Sequence, residues 1–310
     1  MANRRTLAIV EVTLAVVFWG ASFIATKVAL REVSPETVVW LRFLMGALIL
    51  GVAMFARREF ALPSPRDLAY FAVLGFIGIT FHQWLQSTGL VTAQASTTAW
   101  IVATTPIFIA LLSWLFLKER LGRLGVLGIA LATFGVLLVV TDGNLSSLRF
   151  GEFGTPGDIL ILISAVNWAV FSVLSRRGLQ THSAMRMLFY VMGFGWLFSS
   201  LLFFANAGLT EISDLSMMGW LSLSFLGIFC SGFAYIFWFD ALSVLPTGQV
   251  GSFLYVEPIV AVIVAAIILA EPLLLASLIG GAIILLGVWL VNHSGGIQET
   301  LKNADPARNL

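Results

Sequence analysis

Ten apolar runs of roughly twenty residues each divide this chain from end to end, and a water-soluble fold has no interior large enough to hold them. They fall at 8–30, 37–56, 68–88, 93–116, 124–141, 157–176, 183–207, 217–240, 248–270 and 273–292. A helix needs about 20 apolar residues to cross ~30 Å of hydrocarbon. Only helices and closed barrels satisfy every backbone polar group there. Barrel strands are about half as long, so the expected fold class is an all-α integral membrane protein with ten transmembrane helices. The chain is 59% hydrophobic and only 11% charged, which agrees with lipid as its solvent. Its formal net charge is +1 with no basic block, so no nucleic-acid partner is expected. Cys230, alone inside an apolar run, offers neither a disulfide nor a Cys/His metal site. Arg4 and Arg5 precede the first run, which continues past a signal-peptide core without a cleavage pattern and reads as a retained span.

Positive charge orients the bundle. Arg4-Arg5, Arg57-Arg58, the Lys118/Arg120/Arg123 cluster and Arg176-Arg177 share a side with the N-terminus. The opposite side receives only Lys27, Arg31, Arg42 and Arg149. Both termini are therefore expected in the cytoplasm, in keeping with an even number of spans. Lys27 and Arg42 are read at the external ends of the first two helices, where snorkelling to the head groups accounts for both. Carboxylate capture near an outward opening is the alternative.

The sequence also repeats itself. Shifted by 152 residues, "VATTPIFIALLSWLFLKERL" (102–121) falls without a gap on "LYVEPIVAVIVAAIILAEPL" (254–273). Pro106 meets Pro258, Glu119 meets Glu271, and Gly75, Gly128 and Gly135 meet Gly227, Gly280 and Gly287. In the first span of each half, "FWGASF" (18–23) resembles "NWAVFS" (167–172) around Trp19 and Trp168. The expected units are 1–145, 146–293 and a hydrophilic cytoplasmic tail, 294–310. Five spans per unit is an odd number, so the second copy enters the membrane from the opposite side. Two inverted halves give a site at their seam two related access routes, the geometry of alternating access.

"FWGASFIATKVAL", "WLRFLMGALIL", "TTPIFIALLSWLFLKERL" and "VEPIVAVIVAAIILAEPL" together resemble the EamA-type, ten-helix members of the drug/metabolite transporter superfamily. The resemblance spans roughly residues 8–292. It implies a secondary transporter that exports small metabolites across the bacterial inner membrane, most closely amino acids, with the aromatic amino-acid exporter branch nearest. The same fold also accommodates nucleotide-sugar, sugar-phosphate and drug transport. Channels and integral-membrane enzymes are the readings from other classes. The few dispersed intramembrane titratable groups speak against an enzyme, and the absence of a P-loop motif speaks against direct ATP use. No cofactor is expected, and the expected oligomeric state is a monomer or weak dimer.

Polar and aromatic residues inside the apolar runs are the candidate substrate contacts. Glu257 interrupts the ninth run, where a charge is costly enough that it must face a cavity or a partner. His82 and Gln86 share one face of the third helix, with Gln83 adjacent. Proton coupling through Glu257 or His82 is a further expectation. Trp19, Trp100, Trp168, Tyr235 and Tyr255 offer aromatic walls and cation–π contact, and Gln249 a neutral hydrogen bond. Pro106 and Pro258, at twin positions, are expected to kink the fourth and ninth helices and serve as hinges. Gly128, Ala132, Gly135, Gly280 and Gly287 form small faces suited to close helix packing or a dimer contact.

Overall fold

A computed structural model describes residues 2–117, 122–147, 153–206 and 208–293. The tail 294–310 lies outside them, as do Lys118, Glu119, Arg120 and Arg149. Among the described residues, ten helices are long and apolar enough to cross a membrane: α1 (Arg4–Ala29), α2 (Pro35–Ala56), α3 (Pro65–Thr92), α4 (Ala95–Phe116), α5 (Arg123–Val140), α6 (Pro156–Thr181), α7 (Ala184–Ala205), α8 (Met217–Val244), α9 (Gln249–Leu269) and α10 (Leu275–His293).

Local sequence sets where these helices begin. Ser34-Pro35, Ser64-Pro65 and Thr155-Pro156 each put a capping hydroxyl before a proline that needs no backbone donor. At α6 the cap is reciprocal: Thr155 Oγ1 accepts from Asp158 N at 3.3 Å, and the Thr155 backbone N–H donates to Asp158 Oδ2 at 2.7 Å. On the face away from the chain ends, three carboxylates cap helices other than their own. Glu211 accepts from Ser34 N, Ser34 Oγ and Thr37 Oγ1 at the start of α2. Glu32 accepts from Ser216 N and Oγ at the start of α8, and the Ser216 hydroxyl chiefly holds its carboxyl below the usual range. Glu271 accepts from Ala95 N, Ser96 N and Ser96 Oγ at the start of α4. Each sets a negative charge on a positive helix end.

The packing is two-fold. α5 lies on α10 and α2 on α7; α1 packs against α8 and α9 as α6 packs against α3 and α4. The α5–α10 seam reads out the inversion directly. A methyl group added to Gly128 would strike the Gly287 carbonyl, and one added to Gly135 would strike that of Gly280, so the two helices run antiparallel. Those glycines are consumed by packing within the chain, which removes them as a dimer face.

The halves also share their irregularities. α3 adopts wider, i→i+5 turns at Phe76–Phe81 and α8 at Phe225–Phe233, overlapping segments under the 152-residue shift. Such turns free carbonyls, and the opposite half answers them. Asn167 Nδ2 of α6 donates to Ile77 O at 2.7 Å, and Trp19 Nε1 of α1 donates to Cys230 O at 3.0 Å. α4 and α9 are interrupted rather than merely bent. Helix stops at Val102 and resumes at Thr105, and a tighter turn at Phe253–Val256 precedes the segment starting at Glu257. Pro106 and Pro258 are second residues of the resumed segments, where a missing N–H costs nothing. Thr104 and Thr105 hydroxyls donate to Ile101 O and Val102 O across the first break.

Candidate functional site

Between the halves lies a cavity of about 400 Å³, within the range of small-molecule sites. Its walls include Asn292, near the end of α10, and Gly251, near the start of α9, so it reaches the face that carries the start of α1 and the end of α10. The opposite side is closed. Helices α1 and α3 continue about 9 Å beyond their deepest wall residues, Phe23 and Gln86. There Lys27 Nζ donates to Ala93 O, the Gly157 N–H donates to Thr92 Oγ1 at 2.9 Å, and Glu271 holds the start of α4. Lys27 is thus half-buried in a helix-to-helix contact instead of reaching for head groups.

The first helix of each half contributes a tryptophan to the wall. Trp19 is pinned by its bond to Cys230 O, and its ring meets Tyr235 at 5.5 Å and Trp238 at 5.3 Å between centroids. Trp168 lies over His82 at 4.7 Å and beside Phe171 at 4.8 Å. His82 Nδ1 is 3.1 Å from Ser164 O. A carbonyl can only accept, so Nδ1 carries the proton there and a neutral ring keeps Nε2 as an acceptor. Gln83 and Gln86 are buried on the same helix. Tyr255 accepts from Asn292 Nδ2 at 2.9 Å through its hydroxyl oxygen. Glu257 lines the wall from the start of the resumed segment of α9, with Pro106 and Pro258 also on the wall. Its carboxylate has no hydrogen bond or ion pair among the described residues.

The structure therefore brings Trp19, His82, Gln86, Trp168, Tyr235, Tyr255 and Glu257 to one cavity, and leaves two expected contacts outside it. Trp100 is 4% exposed and lies flat on Gly281, filling the α4–α10 contact. Gln249 sits at the outset of α9, beyond the wall.

Arg42 overturns its expected placement. It does not snorkel: two helical turns into α2, it is 5% exposed and lines the cavity. Its Nε donates to Ser231 Oγ at 2.7 Å and its Nη1 to Gln83 Oε1 at 3.1 Å. The signal that could have found it is the repeat itself. Gly46 of α2 abuts Ser231 and Gly195 of α7 abuts Ile79, one contact seen from both halves. In that register Arg42 corresponds to Val191, a charge where the other copy needs none.

The sequence profile of the EamA-like transporter family matches residues 6–141 and again 155–293. The chain belongs to the EamA-like transporter family. Among similar proteins, an uncharacterized transporter from Archaeoglobus fulgidus is 28% identical, over 93% of this chain and 97% of its own length. The uncharacterized transporter YyaM from Bacillus subtilis is 26% identical, covering 88% of this chain and 89% of its own. A probable terminal-alkyne amino-acid exporter from Streptantibioticus cattleyicolor is 27% identical over 92% of this chain and 93% of its own. One solved crystal structure superposes with a TM-score of 0.61 at 22% identity, covering 92% of this chain and 98% of that one, and so shares the fold. This EamA-like chain is a multi-pass membrane transporter built from two inverted five-helix repeats.

Proposed function

We propose that this EamA-like protein is a secondary carrier that exports a small metabolite, a neutral or aromatic amino acid, across a bacterial inner membrane by alternating access, with both chain ends in the cytoplasm. The observation that carries this reading is the blind cavity at the seam of the two halves, open toward one face and sealed toward the other. Because the halves are copies, rocking one set of helices against the other exchanges the sealed and open sides. The interrupted helices α4 and α9 enter the cavity at Pro106 and Pro258, where few backbone hydrogen bonds resist bending. In this orientation the structure faces inward. The aromatic walls suit an apolar side chain, and the unpaired Glu257 carboxylate together with His82 Nε2 suits an ammonium group. The name of the Streptantibioticus relative, a probable terminal-alkyne amino-acid exporter, supports the same class.

Counterflow tests the reading. Proteoliposomes holding the purified chain are preloaded with unlabelled amino acid, and entry of the labelled compound is followed. A carrier accelerates that entry several-fold over unloaded vesicles; equal rates with and without preloading, for every amino acid that crosses, would point to a channel.

A further inference from the structure

We propose that Arg42 is the receptor for a carboxylate on the transported molecule, so that the cavity holds a built anion subsite on the α2 side; the proposal rests on the carrier reading above. A guanidinium carries five N–H donors. Arg42 uses two, both on neutral oxygens, Ser231 Oγ and Gln83 Oε1. The other three have no acceptor among the described residues, and no carboxylate lies within ion-pair distance. Beyond those two bonds and the face of the Phe43 ring, 5.4 Å from its Cζ, no partner of this cation is present among the described residues, and a buried cation in this condition is unfavourable unless an anion joins it. Its two bonds come from α3 and from the wide turns of α8, so the plane of the guanidinium is fixed before a ligand arrives. Such a fixed fork matches a carboxylate bidentately.

Two further observations set the chemistry of the ligand. The wall has no second arginine and no lysine among the described residues, which fits one negative charge and leaves a phosphate dianion half-neutralised. Glu257, on α9 of the other half, faces the same cavity with no ion pair to Arg42. Opposite charges held apart across one seam fit a zwitterion. A purely structural clip is the competing account, yet the matching position in the second repeat, Val191, holds the same helix contact without a charge.

The test is thermal stabilisation of the purified full-length chain by the twenty common L-amino acids. Every stabilising compound is compared with its amide, which lacks the carboxylate, and its N-acetyl derivative, which lacks the ammonium; ribose 5-phosphate is the phosphate arm. Wild type is expected to bind the amide roughly 10- to 100-fold more weakly than the acid. Arg42→Gln is expected to bind acid and amide with equal, weak affinity. Arg42→Lys keeps the charge but not the fork, so it retains a preference for the acid at reduced affinity. If Arg42→Gln does not fold, the acid–amide contrast in wild type and in Arg42→Lys decides. Amides that bind and undergo counterflow as well as the acids would overturn the subsite and leave the carrier standing. Stabilisation by ribose 5-phosphate alone, or by none of these compounds, would overturn both the subsite and the amino-acid reading.

Discussion

Trp168 has two tasks in the cavity, since the ring that forms part of the wall also covers the His82 imidazole. Trp168→Ala removes both the aromatic surface and the support that keeps His82 Nδ1 on Ser164 O. Counterflow is expected to fall at least about tenfold, the equivalent of roughly 1.4 kcal/mol, with normal amounts of protein in the membrane; an unchanged rate would remove Trp168 from the binding surface. Glu257→Gln keeps the shape and deletes the charge. If Glu257 carries the coupled proton, the pH dependence of transport flattens in that variant, and an unaltered pH profile would exclude the role. The places of His82, Gln86, Glu257 and the twin tryptophans on the cavity wall were readable from sequence because each is a polar or bulky residue in a largely apolar run. Arg42 misled for a physical reason. An arginine two turns from a helix end can reach the head groups, and the sequence does not say toward which neighbour α2 turns it. Trp100 misled in the opposite direction, because its place against Gly281 depends on a contact between α4 and α10 that no local pattern encodes.

At the scale of elements, the glycine seam makes a sharp prediction. Gly135→Ala puts a methyl group 2.6 Å from the Gly280 carbonyl and is expected to cost about 1–3 kcal/mol through overpacking. Gly193→Ala on α7 meets nothing within 4 Å and is expected to be tolerated. Thermal melting in detergent checks the pair; equal melting temperatures would contradict the packing. The prolines at twin positions and the glycines at matching spacings marked kinks and close-packing faces in the sequence, but the full breaks in α4 and α9 and the pairing of α5 with α10 came only with the structure. The wide turns of α3 and α8 left no such mark. Their carbonyls are satisfied by Asn167 and Trp19 from the opposite half, so the cause lies in tertiary pairing, beyond the reach of helical periodicity. Helix ends moved for a similar reason: α3 runs on to Thr92 because α6 packs along it and the Gly157 N–H bonds to Thr92 Oγ1.

For the whole molecule, the inversion follows from counting, since a five-span unit repeated once must point both ways. Which side of the seam stands open does not follow, because the repeat makes the two routes alike in principle. In the structure the two sides nevertheless differ. Lys27, Glu271 and Thr92 hold one side shut, while the cavity reaches the other between Gly251 and Asn292. Access from both faces to one interior point is therefore the measurement that bears most directly on the account. In a Cys230→Ser background, Ser22→Cys places a single thiol on the cavity wall, to be labelled by a membrane-impermeant reagent in right-side-out and in inverted vesicles. The account predicts labelling from both faces, with the ratio of the two rates shifting when a transported amino acid is present. Labelling confined to one face, with and without ligand, would contradict it.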